Sequence, residues 1–381
     1  MSGYLDESDF VLVEEGFTPR ELLERLLMEL CHTSEQGAFF MADLGDVVRR
    51  HLRFRKALPR VTTFFPVKCN GSRGVIGLLA ELGAGFACAT KAEIAQVRSI
   101  GVPAEKIFYS NPCTQVAHIK YAASHGVQLM TFDNEVELNK VARSHPHAKM
   151  LLGIAADFSP SPHPSVTFGA TLVSCRHLLE MAKEQAVEVV GISFHLGSRC
   201  PEPQAFAQAL AEAQLVFEMG RELGYRMRVL DIGGGFPGPE DSRAQFQETA
   251  AAIKSALDLY FPEGCGVEVL ARPGRYYVSS AFTFAASVTA KEEVPPGQPG
   301  SEARRASCIT SATASTAPLT ASCSTAPAPG LSRTSSISPL QKPCPDHPSY
   351  SSSLRGPPGP AEDRIADGLE LPELQVGDWL L

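Results

Sequence analysis

No apolar run in this chain approaches the ~18 residues that a membrane-spanning helix needs, so no membrane span is expected. The opening Met1–Asp9 segment is acidic and lacks the basic-then-apolar order of a secretory signal. Cysteine occurs ten times but never as Cys-x-x-Cys or in a tight cluster with histidine. That spacing offers neither a disulfide framework nor a metal site, and it points to reduced thiols in the cytoplasm. Positive charge is not in excess: 34 Lys and Arg against 42 Asp and Glu leave a net charge of −8, with no basic tail. Nucleic acid is therefore not an expected partner. Aromatic residues and valine are missing at one place above all. Residues 301–340 contain no Phe, Tyr, Trp or Val, and 28 of the 40 are Ser, Ala, Thr or Pro. A stretch of that kind cannot bury enough apolar surface to offset its ordering entropy, and it is expected to stay unordered.

Elsewhere apolar material is ample: 44% of the 381 residues are hydrophobic. Thr18-Pro19-Arg20-Glu21 predicts a helix start, with Thr18 as cap, Pro19 in the first turn and Glu21 reaching back to the cap amide. Leu22, Leu23, Leu26, Leu27 and Leu30 then mark one apolar face. From residue 60 a strand and helix alternation sets in. Strands are predicted at 62–68, 85–89, 107–110, 127–132, 150–154, 189–194, 229–232 and 267–270, with helical stretches such as 75–82, 91–100, 135–144, 205–223 and 244–259 between them. Eight parallel strands with crossovers fit a closed (β/α)8 barrel, with a doubly wound open sheet as the alternative. The expected organisation is an N-terminal segment with an amphipathic helix (1–45), the barrel (46–290), the unordered stretch (291–350) and a remnant of a β domain (351–381). The ending Gly377–Leu381, with the only Trp, reads as a strand cut off before its partners.

In such a barrel the functional face lies at the carboxyl ends of the strands. Lys68 closes the first strand, where desolvation would favour the free amine that Schiff-base chemistry requires; the alternative is a lysine that simply leaves the strand for solvent. His195 ends the sixth strand, suited to stacking on a ring, relaying a proton or satisfying a core hydrogen bond. After the seventh strand, Gly233, Gly234 and Gly235 let the backbone turn sharply and bring amides close to an anion. After the eighth, Gly274 and Arg275 place another turn and a guanidinium on the same face. Together these describe a site for a phosphorylated aldehyde cofactor.

Pro66–Asn70, Ser193–Ser198, Leu230–Gly238 and Pro273–Tyr277 resemble the signature segments of eukaryotic ornithine decarboxylases, which bind pyridoxal phosphate on a barrel of the alanine racemase type. The resemblance runs to about residue 290 and returns faintly from about 350. The abrupt change near 300 is what a reading-frame or splicing change produces. The resemblance implies that Lys68 is the Schiff-base lysine, that His195 stacks on the ring, and that Ser198, Gly235, Gly274 and Arg275 serve the phosphate.

Four positions depart from the pattern. Arg272 stands where the decarboxylases carry a glutamate against the ring nitrogen, Ala87 where they carry an aspartate, Gly153 where active members carry an arginine, and Gly359 at the cysteine position. A unit charge pair at 4 Å is worth roughly 4 kcal/mol at an effective dielectric of 20, and Arg272 reverses its sign. The site is expected to be catalytically silent, and the cofactor lost or weakly held. The chain also stops before the last block of the family.

The relatives that keep this barrel and lose this chemistry are the antizyme inhibitors, which Leu257–Gly266 also resembles. That likeness implies capture of antizyme, release of ornithine decarboxylase from inhibition and degradation, and increased polyamine synthesis and uptake. It also extends the expected location to the nucleus and Golgi-region vesicles. The antizyme-binding element it implies is Gln115–Lys140, with Gln115, Lys120, Glu137, Leu138 and Lys140 as binding residues and Asp133 as the cap of the second helix. A monomer or weak dimer is expected. Residual decarboxylation of ornithine or arginine is the alternative function.

Overall fold

The structure is a computed structural model that describes residues 18–30, 38–156, 168–197, 202–238, 243–294, 306–311, 349–355 and 364–381. In chain order, helix α1 (Pro19–Leu30) and strand β1 (Phe39–Ala42) come first, followed by α2 (Leu44–Ala57). Eight strand and helix pairs follow. The first four are β2 (Val61–Pro66) with α3 (Arg73–Glu81), β3 (Gly85–Cys88) with α4 (Lys91–Ser99), β4 (Ile107–Tyr109) with α5 (Val116–Ser124), and β5 (Leu129–Phe132) with α6 (Glu135–Ser144). The second four are β6 (Lys149–Gly153) with α7 (Leu172–Glu184), β7 (Glu188–Ser193) with α8 (Pro203–Glu222), β8 (Val229–Asp231) with α9 (Arg243–Tyr260), and β9 (Glu268–Ala271) with α10 (Arg275–Val278). The last strands are β10 (Phe282–Val294), β11 (Ala306–Ser311), β12 (Ser349–Arg355), β13 (Arg364–Pro372) and β14 (Trp379–Leu380).

Strands β2 to β9 close into a parallel barrel, β9 pairing with β2, so the closed alternative holds over the open sheet. Each strand sends one residue into a shared interior layer: Phe64, Ala87, Phe108, Leu129, Leu151, Val190, Val229 and Leu270. Burying a phenylalanine or leucine in such a layer contributes about 1.5–3 kcal/mol. Gly191 is fixed by the same closure, because a Cβ there would lie 1.7 Å from the Val229 carbonyl oxygen on the neighbouring strand.

The described residues divide into two compact units, the barrel within 44–280 and a second unit built from 18–43 and 281–381. In the second unit the sheet runs β1-β10-β11-β12-β13, with β14 also pairing with β10. The capping box at its first helix forms as the sequence suggests. The Thr18 amide donates to Glu21 Oε2 at 2.8 Å, and the Glu21 amide donates to Thr18 Oγ1 at 3.2 Å. Of the five leucines on the predicted apolar face of α1, Leu23 and Leu27 are buried, beside Ala285 and Trp379.

Two expectations change here. Residues 306–311 lie in the stretch expected to be unordered, yet they form β11, paired with β10 and β12. Sheet hydrogen bonds are made by the backbone, and a partner strand on each side supplies them whatever the side chains. Trp379–Leu380 is likewise not left without a partner, since it pairs antiparallel with Ser287 and Ala286 of β10. Among the described residues no helix is long and apolar enough to cross a membrane, and no group of three or more His, Cys, Asp and Glu side chains could hold a metal ion.

Candidate functional site

The carboxyl ends of β2, β4, β7, β8 and β9 bring together Lys68, Ser110, Ser193, His195, Asp231 and Arg272. Lys68 does not sit in the strand. It lies in a short 3-10 turn, Val67–Cys69, and its side chain is exposed. The apolar run stops at Val67, one residue before it.

Arg272 is also placed otherwise than its charge alone suggested. Its guanidinium turns inward over the Phe108 ring, with 5.5 Å between Cζ and the ring centroid. Its Nε donates to Asp231 Oδ1 at 3.2 Å, and its Nη2 pairs with Asp231 Oδ2 at 2.9 Å. Nη1 donates to Ser110 Oγ at 2.8 Å. Asp231 accepts two further hydrogen bonds, from Ser193 Oγ at 2.7 Å and from the Gly233 amide at 3.0 Å. A carboxylate offers about four lone-pair positions, so Asp231 is saturated by its own neighbours.

Sequence reasoning did not single out Asp231, Ser110 or Ser193. An acid two residues before a glycine run at a strand end, with an arginine at the end of the next strand, was the signal available for Asp231.

His195 Nδ1 accepts the Gly234 amide at 3.0 Å, which leaves Nε2 to carry the proton of the neutral ring. His195 is exposed at the mouth, and crowding of its ring nitrogens by the barrel wall, followed by the positive charges of Arg272 and Lys68, holds its pKa below the ordinary imidazole value.

The glycines have a packing reason of their own. Gly233 has φ +67°, and a Cβ on it would lie 2.2 Å from the Phe194 carbonyl oxygen. A Cβ on Gly274 would lie 2.7 Å from the Pro66 ring. Gly235 and Arg275 are half-buried nearby. Gly153 differs: a Cβ there would meet nothing closer than 3.5 Å, so no close packing demands its missing side chain. Ala87 is enclosed in the apolar layer of the barrel. Ser198 and Gly359 lie outside the described residues.

Residues 44–279 match the family described as pyridoxal-dependent decarboxylase, pyridoxal binding domain.

The chain belongs to the pyridoxal-dependent decarboxylase family.

It is 54% identical over 396 residues to the human protein called antizyme inhibitor 2, covering all of this chain and 83% of that protein. It is 48% identical to the mouse ornithine decarboxylase, covering 99% of this chain and 82% of that protein. Among solved structures, the arginine decarboxylase of Paramecium bursaria Chlorella virus bound to agmatine aligns with a TM-score of 0.82 and 27% identity, covering 95% of this chain and 92% of that one.

The residues at this family member's barrel floor do not fit the family's cofactor. A ring nitrogen that must be held protonated needs a free carboxylate, and the floor offers a guanidinium and a saturated aspartate. Two of the three glycine amides, those of Gly233 and Gly234, already donate within the protein.

The second candidate region, Gln115–Lys140, comprises α5, β5 and α6. Gln115 and Lys120 are exposed. Glu137 and Leu138, expected on the binding surface, are 2% and 0% exposed and cannot touch a partner directly. Glu137 Oε1 instead accepts the Thr114 amide at 3.0 Å, and its Oε2 pairs with Lys140 Nζ. Lys140 Nζ also donates to the Thr114 carbonyl at 2.7 Å, so both backbone groups of Thr114 are gripped from α6.

The helix cap is Asn134, not Asp133. Asn134 Oδ1 accepts the Glu137 amide at 2.9 Å, while Asp133 Oδ2 accepts the Gly169 amide at 3.0 Å. Asparagine and aspartate cap equally well, and the backbone geometry selected the later residue. Asn134→Ala is expected to cost about 1 kcal/mol in urea unfolding, the usual cost of losing a cap.

Proposed function

We propose that this chain is a catalytically silent member of the family that binds antizyme, relieving ornithine decarboxylase of inhibition and degradation and so raising polyamine synthesis and uptake. The observation that carries the reading is Arg272, locked onto Asp231 at the floor of the barrel, where it cannot act as an anion for the ring. The 54% identity to proteins called antizyme inhibitor 2, spread over the whole chain, supports the choice of partner. The exposed parts of α5 and α6, with Gln115 and Lys120, are the surface offered to antizyme.

A second reading, residual decarboxylation of ornithine or arginine, is favoured by Lys68, His195 and the glycine turns, all kept at the mouth, and by 48% identity to ornithine decarboxylase. One pair of measurements separates them. The full chain is expected to retain purified antizyme in a pull-down at micromolar concentration, and to release no labelled carbon dioxide from ornithine or arginine with pyridoxal phosphate added. Borohydride treatment of the same mixture is expected to leave Lys68 unmodified. Absence of binding by folded protein overturns the proposal, and carbon dioxide release overturns its catalytic half.

A further inference from the structure

The helices that follow the barrel strands all begin at the mouth end, so their first turns form a rim. The first turns of α3, α4, α8, α9 and α10 present no exposed large apolar side chain. Three consecutive neighbours break the pattern. α5 opens on Val116, α6 presents Val136 as its second residue, and α7 presents Val173 as its second residue, with exposures of 42%, 68% and 92%. Phe168, just before α7, is 58% exposed. The other exposed large apolar residues of the barrel helices, Leu52, Leu215 and Leu259, stand in the middle or at the end of their helices.

Valine in water at a helix start is doubly unfavourable. It loses rotamer freedom in the helix, and it occupies a position where an acidic residue would stabilise the helix through the N-terminal backbone charge. Repetition of that choice on three adjacent helices marks a contact surface rather than scattered exposure. The surface is held in shape before any contact. His177 Nε2 meets Glu135 Oε1 at 3.0 Å across α6 and α7, and the Gly169 amide is tied to Asp133. Preorganisation of this kind lowers the ordering cost of binding.

We infer that antizyme is seated on this mouth-side apolar arc, Val116–Val136–Val173 with Phe168, and that its footprint extends past the Gln115–Lys140 element onto α7. The inference rests on antizyme capture as the function. Antizyme is the assigned occupant because the arc is continuous with the exposed α5–α6 surface and absent from the rest of the rim.

The test measures equilibrium binding of purified antizyme to the full chain and to Val173→Asp, Phe168→Ser and a control, Leu259→Asp on α9. Val173→Asp introduces an acidic residue into a helix first turn, so α7 should not be weakened. A tenfold or greater loss of affinity is expected for Val173→Asp and Phe168→Ser, carried by faster dissociation and, for the uncharged Phe168→Ser, with an unchanged salt dependence, and no loss for the control. Wild-type binding with unchanged affinity in both arc variants overturns the footprint while leaving antizyme capture standing. No binding by the wild type overturns capture itself. Wild-type self-association in the absence of antizyme, abolished by Val173→Asp, overturns antizyme as the occupant in favour of a second copy.

Discussion

Arg272→Ala is expected to lower the stability of the barrel by about 3–5 kcal/mol, read as the shift of its urea unfolding midpoint. Losing one member of a buried ion pair leaves the other uncompensated, and that loss costs far more than the pair contributes over an apolar replacement. Asp231 is fully buried, while the Arg272 side chain is 15% exposed, so the aspartate bears the consequence. Without the guanidinium it keeps the Ser193 hydroxyl and the Gly233 amide but loses its only charged partner among the described residues. The double variant Arg272→Met with Asp231→Asn is expected to recover much of the loss, because the uncompensated charge is gone. Arg272→Glu is expected to be worse than alanine. It sets a second carboxylate within reach of Asp231, and two carboxylates at that distance do not both ionise. Restoring the family's acid alone is therefore not expected to restore catalysis. Equal stability of Arg272→Ala and the wild type would show that the pair is not maintained in solution.

The barrel was legible in the sequence because each of its strands is a short apolar or β-rich run bounded by a helix with its own periodicity. The predicted stretch 135–144 coincides with α6, and the predicted strand 229–232 overlaps β8 with a one-residue difference. What the sequence did not disclose lies where two distant segments decide the outcome. Arg272 was read as a misplaced cation because its partner is 41 positions away on another strand, and only barrel closure aligns them. Glu137 and Leu138 were placed on a surface because the resemblance marks them, whereas helical phase in the folded chain turns both inward. β11 was missed because only Ile309 and Thr310 of its six residues favour a strand, and its order comes from backbone pairing with β10 and β12. Lys68 was legible only as two alternatives, since one residue decides whether a strand end is dry or wet.

Burial of Glu137 changes how the element offered to antizyme must work, and it leads to the second large effect. Lys140→Met is expected to destabilise the chain by about 3 kcal/mol, because it leaves a buried carboxylate without its cation. Glu137→Gln is expected to cost less, about 1–2 kcal/mol: the amide oxygen still accepts from Thr114, and the Lys140 side chain, 27% exposed, can turn to water. In both variants the grip on Thr114 loosens, and with it the start of α5, where Gln115 stands at the N-cap position and Val116 opens the helix. Antizyme affinity is accordingly expected to fall in both, with a salt dependence unchanged from the wild type, because the charge lost is an internal one. Lys120→Glu, on the exposed face of α5, is expected to behave oppositely: stability is retained and the salt dependence of binding changes. A salt dependence that shifts in Lys140→Met as it does in Lys120→Glu would place the Lys140 ammonium against antizyme itself, and Thr114 would lose its standing as the residue through which α6 sets the position of α5.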